Sequence, residues 1–60
     1  MKAITKCEIL GDEHKVQKDI PKGEEVIVKG FILGNNERIV SVKYNGELYY
    51  TDEKNIQLER

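Results

Sequence analysis

His14 stands between Glu13 and the Lys15-Val16 step, with Asp12 two residues before it. An imidazole among carboxylates suits general acid–base work only when it also reaches a nucleophile in a water-poor pocket. Gly11 to Lys18 is polar and charged throughout except for Val16, so His14 reads as a solvated loop residue. The paired carboxylates Glu24-Glu25 and Asp52-Glu53 lie beside turn residues and read the same way. Cys7 is the one cysteine of the sequence, so no internal disulfide forms and no second thiol completes a zinc site. It reads as a small apolar strand residue. "KGFILGNN" lacks the strand-to-helix context of a phosphate-binding loop. The chemistry-bearing residues therefore predict no catalysis, no metal and no cofactor.

What remains is a surface, and the elements that must carry it are short. Sixty residues make one domain, spanning 1–60. A chain of this size buries only about 60% of its unfolded surface, so most apolar residues are needed inside. Ten basic and eleven acidic residues leave a net charge of -1, which argues against broad attraction to nucleic acid. No apolar run is long enough for a membrane span, and "MKAITKCEIL" has no signal-peptide pattern. The expected location is the cytoplasm, without membrane contact.

Gly11, Pro21-Lys22-Gly23, Gly30, Gly34-Asn35-Asn36 and Asn45-Gly46 divide the chain into short β-rich runs. Ala3 to Leu10 predicts an opening strand. "DIPKGEEV" predicts a diverging turn in which Ile20 tucks inward, Pro21 fixes φ and Gly23 takes a positive φ. A strand follows from about Glu25 to Leu33, with a bulge or bend at Gly30. Its faces are read as Val26, Val28 and Ile32 against Ile27, Phe31 and Leu33. Arg38 to Tyr44 is the next strand. Asn45-Gly46 suits a two-residue type I′ turn, which sets Tyr44 opposite Glu47, Val42 opposite Tyr49 and Val40 opposite Thr51. That register puts Val40, Val42, Tyr44 and Tyr49 on one face, and Ser41, Lys43, Leu48 and Tyr50 on the other. "TDEKN", with Thr51 or Asp52 as cap, predicts a single 3₁₀ turn before a closing strand through Ile56 and Leu58. The expected core is Ile4, Val16, Ile20, Val26, Val28, Ile32, Val40, Val42, Tyr49 and Ile56. The expected architecture is all-β: a small five-stranded barrel whose closure removes exposed strand edges.

From Asp19 to Leu58 the sequence resembles SH3-like barrels, and in pattern the bacterial SH3 family most. "IPKGEEVIV" is similar to that family's turn-plus-strand pattern, "VSVKYNGELYYT" to its distal hairpin, and "EKNIQL" to its 3₁₀ turn and last strand. The resemblance implies a binding module rather than an enzyme. Eukaryotic SH3 domains hold proline-rich peptides between aromatic and proline side chains. Ile39 stands at the position resembling the groove tryptophan, Asp52 at that of the proline, and Asn55 at that of the 3₁₀ tyrosine. The acidic opening motif is also absent. These departures argue against proline-peptide capture. Recognition of cell-wall peptides, common among bacterial SH3 modules appended to wall enzymes, is carried as an alternative for a piece of a larger protein.

The leading expectation is a protein partner, met by a docking or inhibitory module. Tyr50 is the anchor and Leu48 lies beside it, with Ile39, Lys43, Asp52 and Asn55 completing the candidate set. Tyr50 packing on Leu48 and Ile39 as a mere cover is the plain alternative. Phe31 with Ile27 is a lesser candidate, its plain alternative being a small cluster under the Gly11 to Lys18 loop. A nucleic-acid reading would use Lys29, Arg38, Lys43, Tyr50 and Lys54, against interleaved Glu37, Glu47, Asp52 and Glu53.

Overall fold

A computed structural model describes residues 1–59. Five strands lie in one antiparallel sheet: β1 (Lys2–Thr5), β2 (Glu25–Gly34), β3 (Glu37–Tyr44), β4 (Glu47–Asp52) and β5 (Ile56–Leu58), in the order β4-β3-β2-β1-β5. Two 3₁₀ turns interrupt them, η1 (Glu13–Lys15) and η2 (Glu53–Asn55). No α-helix occurs among the described residues, and so no helix long and apolar enough to cross a membrane. The sheet is open, with β4 and β5 as its edges. Each edge is blunted instead of paired. β5 is three residues long, and the Gln17 amide Nε2 donates to the Leu48 carbonyl on β4 at 2.8 Å.

Local rules account for the connections. Asn45 and Gly46 have φ of 49° and 81°, and Tyr44 pairs Glu47 across them. Val42 then pairs Tyr49 and Val40 pairs Thr51, as the two-residue turn requires. The diverging turn is stapled by Thr5, whose buried hydroxyl donates to the Pro21 carbonyl at 2.7 Å and accepts from the Glu24 N–H at 2.9 Å. Gly23 has φ of 87°, and Ile20 is fully buried. Asp52 caps η2 by accepting from the Lys54 N–H, and Asn55 ties back by donating from Nδ2 to Thr51 Oγ1.

The buried apolar residues are Ala3, Ile9, Ile20, Val26, Val28, Val40, Val42, Tyr49 and Ile56, with Tyr44 packed against them. Three expected core residues are not among them. The bulge explains Ile32. Val28 pairs Val42 but Gly30 pairs Ser41, so Lys29 is an extra residue and the facing of β2 inverts beyond it. Phe31 thereby shares a face with buried Val40, and Ile32 turns outward with Ile39, 51% exposed. Phe31 is still 47% exposed, because β1 accompanies β2 only between Glu25 and Ile27. It therefore does not share a face with Ile27, and the expected Phe31–Ile27 pair does not form.

Ile4 misses the core by one position. Ala3 and Thr5 point inward, while Ile4 faces outward, opposite Glu25 and Gln57. The opening strand also stops at Thr5 instead of running to Leu10. The backbone turns there, Lys6 N–H reaching the Asn55 carbonyl, and Ile9 returns to the core through a bridge to Ile20. Val16 is the largest departure, 88% exposed with φ of 54°. It closes η1 in the left-handed region, which a β-branched residue resists. The loop is held by backbone and amide bonds, Gly11 N–H to Asp19 Oδ1 and Asp12 N–H to Gln17 Oε1, and needs no apolar foothold.

Candidate interaction surface

The hairpin register and the bulge together define the outer face of β2, β3 and β4. Residues directly opposite one another share a face, and three rungs result. Ile27, Lys43 and Leu48 form one; Gly30, Ser41 and Tyr50 the next; Ile32, Ile39 and Asp52 the third. Gly30 and Ser41 make the middle rung small on β2 and β3, and Tyr50 is its one bulky side chain. Tyr50 is 54% exposed and Leu48 40% exposed. Ile27 and Ile39 are half-buried.

A cleft of about 240 Å³ continues this face around the β4 edge. Leu10, Asp12 and Lys15 line it from the long loop, and Leu48 and Tyr50 from β4. Its two walls are tied together. The Gln17 side chain bridges loop and strand, and a Cβ at Gly11 would stand 2.4 Å from the Gln17 carbonyl oxygen.

The opposite face of the same hairpin is closed. Tyr49 Oη donates to the Lys18 carbonyl at 2.7 Å, and Tyr44 Oη donates to Glu24 Oε1 at 2.9 Å. The two rings meet edge to face with centroids 6.3 Å apart. Both phenols are pushed above their ordinary pKa of 10.0. At Tyr44 the main cause is the bond to the Glu24 carboxylate, and at Tyr49 it is burial.

The candidate set is thus only partly assembled. Tyr50, Leu48, Lys43 and Ile39 lie on the outer face, and the sheet brings Ile32 and Ile27 to them. Ile32 has no signal of its own in the sequence, because a glycine marks a bulge without saying on which face the strand resumes. Asp52 sits at the end of that face with one carboxylate oxygen committed to the η2 cap, and Asn55 has its amide committed to Thr51. Those two are structural in what they touch.

The five residues of the nucleic-acid reading divide. Lys43 and Tyr50 are on the outer face and Lys29 is exposed at the bulge. Arg38 and Lys54 instead line a groove of about 570 Å³ beside β5, together with Asp52 and Glu53. Arg38 Nε lies 2.7 Å from Glu53 Oε2, off the N–H axis, so the contact is ionic without a directed hydrogen bond. Cys7 is exposed, contrary to its reading as an apolar strand residue. His14 is an exposed η1 residue, and no cluster of three metal-ligating side chains occurs among the described residues. No protein-family model, curated protein or solved structure matches this chain.

Proposed function

We propose that this chain is a non-enzymatic protein-interaction module, docking or inhibitory, that acts in the cytoplasm through the outer face of β2–β4. One observation carries the reading. Of the large apolar residues left exposed, Ile32, Leu48 and Tyr50 fall together on adjoining rungs of one face. Contiguous apolar surface of this kind marks interaction sites, whereas single exposed residues do not. Tyrosine supplies a large contact area at modest entropic cost.

The proposed scaffold is an SH3-like barrel left open along one seam. Its support is the five-strand order, the bulge that bends β2, the Asn45-Gly46 hairpin and the 3₁₀ turn ahead of β5. A proline-peptide groove is not part of the proposal. Ile39 brings no aromatic ring, and the Asp52 and Asn55 side chains serve η2.

The test is Tyr50→Ala. The variant keeps its unfolding midpoint and its dispersed amide spectrum but loses partner capture. Unfolding as severe as that of Val42→Ala would make Tyr50 a packing residue and remove the surface.

A further inference from the structure

The outer face is not neutral, and its charges say what kind of segment it accepts. Lys43 lies on the Ile27–Leu48 rung, and Lys29 is the exposed extra residue of the bulge. Among the described residues neither has a carboxylate within ion-pair distance, whereas Arg38 is paired with Glu53 and Lys2 with Glu25. Of the carboxylates on this face, Glu25 lies at the lysine end, two residues from Ile27, and is paired with Lys2 at 3.8 Å, while Asp52 caps η2 at the other end. Glu37 lies beyond Ile39 at the far end of β3. The face therefore runs from a basic end, through an apolar middle, to an acidic end.

Resting on the docking reading above, we infer that the occupant is a segment of a partner protein that combines apolar side chains with an acidic end. The apolar groups seat on the small Gly30–Ser41 rung against Tyr50, Leu48 and Ile32. The acidic groups lie over Lys43 and Lys29, whose charges have no partner of their own. Complementary charge fixes orientation and excludes wrong partners more than it adds affinity, and a basic segment is repelled at the lysine end.

The experiment is selection of random displayed peptides on the full chain, repeated on Tyr50→Ala, Lys43→Glu and the Lys29→Glu/Lys43→Glu double variant. Circular dichroism confirms that each variant is folded; all three positions are exposed. The expected result is enrichment of peptides with apolar residues and excess Asp or Glu. Those peptides weaken by about tenfold or more on Lys43→Glu, and further on the double variant. Peptides that depend on Tyr50 but show no acidic excess and ignore Lys43→Glu would overturn this inference and leave the docking reading standing. No peptide dependent on Tyr50 would overturn both. Single-stranded oligonucleotides binding the same face, with affinity falling steeply as salt rises, would replace the peptide with a nucleic acid. A dimer in sedimentation that Tyr50→Ala dissolves would make a second copy of the chain the occupant.

Discussion

Val42 and Tyr49 face each other on one side of the β3–β4 hairpin, and Lys43 and Leu48 do so on the other, one residue nearer the turn. The strands, the spacing and the turn are the same for both faces. The inner pair is buried, and Tyr49 reaches across to hold the long loop through the Lys18 carbonyl. The outer face has no layer over it, and its tyrosine stays half in water. Aromatic content therefore does not distinguish core from surface in this molecule. Facing does, and facing is decided by a turn of two residues and a bulge of one.

That contrast gives a ranked set of ways to break it. Val42→Ala removes fully buried methyl groups at the centre of the inner face and is expected to cost about 1–3 kcal/mol in urea unfolding. A cost near zero would mean that the inner face does not hold the domain together. Gly46→Ala attacks the turn that sets both faces. Gly46 has φ of 81° and no atom within 4 Å of where a Cβ would stand, so the cost is backbone strain alone. About 1–2 kcal/mol is expected for an L-residue in that region.

Alkali acts on the inner face by another route. Tyr44 and Tyr49 hold their protons above the ordinary value of 10.0. The folded state then binds more protons than the unfolded one, and the stability this contributes is complete below pH 10. It is lost as pH rises through the raised values. Unfolding midpoints measured from about pH 8 to about pH 11 should fall at the alkaline end, and Tyr49→Phe should flatten that fall. An equal fall in the Tyr44→Phe/Tyr49→Phe double variant would sink the assignment. Tyr50→Ala is the smallest expected effect on stability, within about 0.5 kcal/mol, since the side chain is 54% exposed on the uncovered face.

Much of the hairpin region was legible because it obeys short-range rules. Asn45-Gly46 prescribes a register, Asp52 prescribes a capped 3₁₀ turn, and Pro21 to Gly23 prescribe a diverging turn. Each rule involves residues within a few positions of one another. The misreadings arise where one local event has a distant consequence. Gly30 announced an irregularity, yet its effect was to turn Ile32 outward and Phe31 toward the Val40 side, which exchanges a core residue for a surface one. Ile4 lost its place to Ala3 and Thr5, and buried Thr5 bonds the Pro21 carbonyl and the Glu24 N–H across the diverging turn. Val16 went to solvent because the loop closes on its own polar bonds.

By itself, the sequence determined an all-β chain, the turn types, the register of β3 with β4 and hence which tyrosine of the Tyr49-Tyr50 pair faces inward. These follow from backbone preferences and from the two-residue period of a strand, which need no knowledge of the rest of the chain. Tertiary structure alone decided that the sheet stays open, that Ile32 joins Tyr50 and Leu48 outside, and that, among the described residues, Lys43 is left without a carboxylate while Arg38 has one. Those outcomes depend on which segments are brought side by side across the sheet, and pairing between distant segments is set by the whole fold.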